Sequence, residues 1–340
     1  MSTLALDTKK YWIQNPRFDL TYFTFGWIIV FLAFLSLPNY SNALIIIVLL
    51  FNFVHRHLTL ALVYGQKEEF VKRKMSYIFM PVAFAAITVI SILAGVFKLL
   101  LAISVAWTMY HVIAQKYGFT RIYSRKAGYG KAWIDRGIIY SWVVYLIFAL
   151  AEKNKGVLEQ YQAGQTILSA VGEYLPILTL VSYAALAVAI YFTLVYAYEE
   201  FKNRDKISLP KNLFVLSILF LYAILFYDLI VGYVVFGFSH AIEYIAFVNI
   251  FVHSKYTKKA ENTSLFSKVS KKQWIYSGGF SLLLAGICYL GIRFDENALA
   301  IYITGSSFLH FIYDGWIWKL RKPEVSKPLD IGYTQSPTSS

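Results

Sequence analysis

The sequence predicts an all-α, polytopic integral membrane protein of about ten transmembrane helices with both termini cytoplasmic. Three observations predict it. Of the 340 residues, 58% are apolar and only 15% charged, whereas a soluble domain has about 45–50% and about 25%. The apolar residues gather into stretches long enough to cross about 30 Å of hydrocarbon. Finally, 27 of the 32 Lys and Arg residues fall on alternate connections between those stretches, the asymmetry expected when basic loops stay on the cytoplasmic side.

The elements follow in order. Residues 1–20 hold Asp7, Lys9, Lys10, Arg17 and Asp19 in place of the apolar core of a cleavable signal, and read as a cytoplasmic N-terminal segment. Ten apolar stretches come next, at 21–37, 42–64, 75–97, 98–117, 134–151, 173–197, 212–229, 232–254, 274–293 and 297–318. Outside connections carry only Lys98, Lys153, Lys155 and Arg293, and Arg56 lies within a span. A polar external loop is expected over 152–172. Residues 21–322 read as a single transmembrane domain, because no repeat period and no similarity between halves is visible. The Pro/Ser-rich stretch 323–340 reads as a flexible cytoplasmic tail.

Composition narrows the function. A net charge of +13 would suggest nucleic acid in a soluble protein, but here the charge marks topology, so no nucleic-acid partner is expected. The single cysteine, Cys288, excludes an internal disulfide and a thiolate metal cage. The basic run from Arg121 to Lys131 reads as a topology determinant.

Ionisable residues inside the spans are the informative ones, since a charge at mid-span costs at least about 2.5–3.5 kcal/mol. His55, Arg56 and His57 lie in the second span, His111 in the fourth, His240 and Glu243 in the eighth, and His310 and Asp314 in the tenth. All four of these spans run from outside to inside in the expected topology. His57, His111 and His310 fall six to eight residues before the expected inner ends, about 9–12 Å deep at 1.5 Å per residue, so the four helices can present their polar groups at one level. His240 with Glu243 and His310 with Asp314 share helix faces through i, i+3 and i, i+4 spacing. His55 and His57 are about 200° apart, and only one of them can face the common site. His253, at the foot of the eighth span, reads as an interfacial residue.

A donor set of imidazoles and carboxylates without sulfur suits iron, manganese or zinc, and open His/carboxylate sites are typical of non-haem iron that activates dioxygen. The candidate metal ligands are therefore His55, His57, His111, His240, Glu243, His310 and Asp314, with Glu243 and Asp314 also the candidate catalytic carboxylates. One or two non-haem iron ions are compatible with the spacing. A site within the bilayer suits a membrane lipid or lipid-like substrate, such as a carotenoid or fatty-acyl chain, which can enter laterally. Dioxygen is the expected co-substrate, an electron donor a further partner, and the plasma (inner) membrane of a prokaryote the expected location.

Histidines dispersed singly over several spans resemble those of the Brp/Blh group of membrane carotenoid dioxygenases. His55 in an early span, His111 after a similar interval, and the His240 and Glu243 region carry the resemblance, over the second to eighth spans. It implies iron-dependent oxidative cleavage of a carotenoid. Two other readings are a haem-binding electron carrier with axial histidine pairs, which leaves Glu243 and Asp314 unused, and a transporter with a His/Glu/Asp proton relay.

Overall fold

Among the described residues, 11–153, 175–257 and 272–331 of a computed structural model, every regular element is helical and there is no strand. Residues 1–10 of the N-terminal segment, the external loop from 154, the basic connection 258–271 and residues 332–340 of the tail lie outside that set. Eight helices are long and apolar enough to cross a membrane: Pro38–Gly65, Lys74–Leu93, Phe97–Ala127, Ala132–Leu150, Thr179–Lys202, Leu209–Tyr227, Leu229–Tyr256 and Ile275–Phe294. Leu93, Leu282 and Phe294 on them are 82%, 76% and 86% exposed, a disposition that suits lipid rather than water. By length and composition these helices suggest an integral membrane protein.

The expected first and tenth spans differ from those eight. The first is a bent pair, Pro16–Thr24 and Ile28–Ser36, with a 52° angle at the break. Gly26 sits at that break, and a Cβ there would stand 2.3 Å from the carbonyl oxygen of Thr21, so only glycine fits the close approach. The tenth forms a continuous helix, Glu296–Ile317, but Tyr302, Ser306, Ser307, His310 and Asp314 dilute its apolar content. The fourth span runs ten residues past its expected end, because nothing breaks the helix before Gly128, whose φ is +74°.

Helix contacts group the chain into two compact units. The helices needed below are α1 (Ser41–Gly65), α2 (Lys74–Leu93), α3 (Phe97–Ala127), α4 (Ala132–Lys153), α5 (Leu175–Lys202), α6 (Leu209–Tyr227), α7 (Leu229–Thr257), α8 (Gln273–Phe294) and α9 (Glu296–Ile317).

One unit comprises residues 1–20 and 113–236. Helix ends meet there around a buried charge network. Asp135 in the first turn of α4 pairs with Arg121, accepts a hydrogen bond from Ser124 Oγ at 2.7 Å, and lies 3.6 Å from Lys211 Nζ. Lys211, in the first turn of α6, donates to Glu200 Oε1 of α5 at 2.7 Å, and Tyr129 and Asn212 donate to Glu200 Oε2 at 2.6 and 2.7 Å. Arg121 also donates to the carbonyl of Gly130. Gly130 has φ +105°, and a Cβ on it would be 2.8 Å from Ser124 Oγ and 3.0 Å from Lys211 Nζ, which excludes any side chain. Part of the basic run thus works as internal ion pairing.

The second unit comprises residues 21–112 and 237–340. Its core is the apolar packing of Phe53, Leu58 and Leu62 on α1 against Tyr244, Val248 and Phe251 on α7 and Leu284 and Cys288 on α8. A second cluster joins Val63, Tyr77 and Tyr313. The expected tail differs over its described part. Pro323–Ser326 is a helical turn, and Val325, Leu329 and Ile331 are buried, because three apolar side chains recur at close spacing between the prolines and lysines. Glu324 is also tied to Lys72 at 3.0 Å. That hydrogen bond holds the Glu324 carboxyl below the ordinary glutamate range.

Candidate metal centre

In the second unit, α1, α3, α7 and α9 bring one histidine each to a common point. Ring centroids are 4.7 Å apart for His55 and His240, for His55 and His310, and for His111 and His310, and 5.1 Å apart for His111 and His240. Interplanar angles of 68–89° turn ring edges, where the nitrogens lie, toward neighbouring rings. Two groups have ligand atoms within 4.8 Å of one another: His55, His240 and His310, and His111, His310 and Asp314. His310 belongs to both.

Donor separations fit a shared cation. Asp314 Oδ2 is 3.6 Å from His111 Nε2 and 3.6 Å from His310 Nε2. That is too long for a hydrogen bond, but donors at about 2.0–2.2 Å from one transition-metal ion lie roughly 3–3.7 Å from each other. His55 Nδ1, His111 Nε2 and His310 Nε2 are buried without a hydrogen-bond partner. An unpaired buried polar atom costs about 1–3 kcal/mol of desolvation, and three such nitrogens close together call for a partner such as a bound ion or water.

The surrounding shell is well bonded. Thr59 Oγ1 lies 2.7 Å from His310 Nδ1, 2.9 Å from Asp314 Oδ1 and 2.5 Å from the Tyr244 hydroxyl. Tyr244 donates to Asp314 Oδ1 at 2.7 Å, and Trp318 Nε1 donates to the Tyr244 oxygen at 3.1 Å. One Asp314 oxygen is therefore engaged, and the other faces the imidazoles. Phe311 packs 4.7 Å from His111, with Trp107 beyond it. A cavity of about 680 Å³ is lined by Leu62, Phe251 and Trp318 together with Lys72, Lys255 and Glu324. Trp318 is thus both a wall of the cavity and a donor to Tyr244.

Of the residues selected from sequence, the structure brings together His55, His111, His240, His310 and Asp314. It keeps His57 and Glu243 out of both donor groups. His57 points the other way from His55, as the 200° separation requires: its Nδ1 is 2.7 Å from the Phe53 carbonyl and its Nε2 2.6 Å from the Tyr302 hydroxyl, on a groove of about 350 Å³. Glu243 is fully buried and accepts a hydrogen bond from Ser239 Oγ at 2.7 Å, one turn back on its own helix. Arg56 reaches Ser306 Oγ at 3.3 Å, and His253 is exposed.

Sequence reasoning missed Thr59, Tyr244 as a polar partner, and Trp318. A signal for them exists: each stands four residues after a selected residue, Thr59 after His55, Tyr244 after His240 and Trp318 after Asp314, and so on the same helix face. Searches against protein-family models, curated proteins and solved structures found no match to this chain.

Proposed function

We propose that this chain is a membrane-embedded, iron-dependent oxygenase acting on a long apolar, lipid-like substrate such as a carotenoid or fatty-acyl chain. The observation that carries the reading is the convergence of four imidazoles and one carboxylate from four helices, with three ring nitrogens buried and unbonded. His55, His111, His240, His310 and Asp314 would hold the ion. Their nitrogen-rich, sulfur-free character favours iron, manganese or zinc over magnesium or calcium, and iron bound there supplies redox chemistry toward dioxygen.

The chain's own residues have separable tasks in this reading. Thr59 and Tyr244 orient Asp314 so that one oxygen faces the ion. Phe311 and Trp107 give the substrate an apolar surface next to His111 and exclude water. The cavity beside Trp318, lined by both apolar and charged side chains, suits the polar end of an amphiphilic molecule. Glu243, outside both donor groups, receives no role as a ligand here.

The topology belongs to the same proposal. The bent N-terminal pair and α9 complete ten crossings, both termini are cytoplasmic, and the protein resides in the inner membrane of a prokaryote. A reporter fused after Ser340 should report cytoplasmic and one inserted near Gln162 external; the reverse would remove the common level of the histidines.

Activity is tested with full-length protein purified in mild detergent, loaded with Fe(II) and ascorbate, and offered β-carotene or an unsaturated fatty-acyl lipid. Oxygen uptake with an oxidised product identified by mass spectrometry is the expected result, absent in His310→Ala. Iron-loaded protein that consumes no oxygen with either substrate class would contradict the oxygenase, and an intense Soret band would replace it with a haem protein.

A further inference from the structure

We infer that the two donor groups share a single metal ion, bound through His310 Nε2, and that Thr59 enforces this by holding His310 Nδ1. The inference rests on the metal reading above and decides what that reading leaves open, the number of ions.

His310 is the residue common to both groups. For the groups to hold separate ions, His310 would have to bridge them through both ring nitrogens, or a carboxylate would have to bridge through both oxygens. The first route is closed by Thr59, whose hydroxyl is 2.7 Å from His310 Nδ1. Its one proton has three acceptors within reach: Asp314 Oδ1, the Tyr244 oxygen and Nδ1 itself. Giving it to Nδ1 would put the imidazole proton on Nε2, which is buried with no acceptor within hydrogen-bond distance, at a cost of about 1–3 kcal/mol. Giving it to an oxygen makes Nδ1–H the donor to Thr59 and leaves the Nε2 lone pair bare. An ionised carboxylate accepts and cannot donate, so the network favours this second tautomer throughout.

The carboxylate route is closed in the same way. Asp314 Oδ1 already accepts from both Thr59 and Tyr244, and only Oδ2 faces His111 and His310, at 3.6 Å from each. A lone pair on one ring nitrogen serves one ion. Both groups therefore draw on His310 Nε2, so the two cannot each hold an ion of their own through it. A hydrogen-bonded carbonyl, carboxylate or hydroxyl behind a ligating histidine typically changes metal affinity 10–100-fold when lost, which makes Thr59 a positioning residue of measurable effect.

The test is metal content per chain, by elemental analysis of full-length protein in mild detergent after saturation with Fe(II) or, as a spectroscopic stand-in, Co(II). Wild type should bind one ion. His55→Ala and His111→Ala, which lie in different groups, should each weaken the same ion. Thr59→Val should lower affinity about 10–100-fold, and Thr59→Ser, which keeps the hydroxyl, should restore it; a merely structural role for Thr59 would move the melting temperature without this pattern. Two ions in wild type, or one ion kept at unchanged affinity in either histidine variant, would overturn the single-ion centre while leaving the metal reading intact. No binding in folded wild type would overturn the metal centre and the inference with it.

Discussion

Both units bury titratable side chains, and they do so in opposite ways. In the unit of residues 1–20 and 113–236, Arg121 and Lys211 face Asp135 and Glu200, and Tyr129, Ser124 and Asn212 take up further oxygen positions. Each charge of that network meets its opposite. In the unit of residues 21–112 and 237–340, four imidazoles and Asp314 form two donor groups that share His310, with ring nitrogens of His55, His111 and His310 left unbonded. A paired network neutralises its charges and fixes helix ends, even though Asp135 Oδ1 has Lys211 Nζ only at 3.6 Å and no hydrogen bond. A convergent set of unbonded donors is instead a candidate ligand site. Burial of polar groups in a membrane protein is therefore ambiguous until the pairing is read.

The comparison breaks most easily at His310. His310→Ala removes the donor common to both groups, and bound iron should fall below detection by elemental analysis while Arg121, Asp135, Lys211 and Glu200 are untouched. In the paired unit, Lys211→Met leaves Asp135 and Glu200 buried with one cation fewer. A buried pair broken on one side loses about 3–5 kcal/mol, so thermal unfolding in detergent should shift clearly downward, with metal content per folded chain unchanged. Loss of metal in that variant at a temperature where it remains folded would merge the two roles.

His57→Ala should leave metal content and affinity within about twofold of wild type, because His57 is satisfied by Phe53 and Tyr302; a loss as deep as that of His310→Ala would return it to the ligand set. The smallest effect lies at the packed tail. Glu324 is held below its ordinary range by Lys72, so its contribution is present above the unfolded glutamate value of about 4.3 and is lost as pH falls through the lower folded value. The pair is solvent-exposed on the Glu324 side and worth about 0.2–1 kcal/mol. Hydrogen exchange over 323–331 should quicken modestly at low pH, and Glu324→Gln should remove that pH dependence.

Much of this was legible in the sequence because lipid makes the rules strict. Apolar length sets the helices, and ionisable residues inside them are rare enough to select His55, His111, His240, His310 and Asp314 together. What stayed hidden is of two kinds. His57 and Glu243 resemble ligands in type and position, and only the rotation of α1 and α7 against their neighbours separates them from the donors. Thr59, Tyr244 and Trp318 are ordinary residues in apolar helices, and their roles emerge from contacts 185–255 residues apart, between Thr59 and Tyr244 and between Thr59 and Asp314. Ion pairing of the basic run was hidden although its partner is only 14 residues away, since Arg121 reads as topology until Asp135 is placed beside it.

The most direct test of the central claim, that this histidine and aspartate cluster is a metal centre, is the X-ray absorption spectrum of iron-loaded wild-type protein. Nitrogen and oxygen donors at about 2.0–2.2 Å, with the multiple-scattering signature of several imidazoles and no sulfur shell, are the expected result. A spectrum fitted by oxygen donors alone, with no imidazole contribution, would place the iron elsewhere and contradict the account.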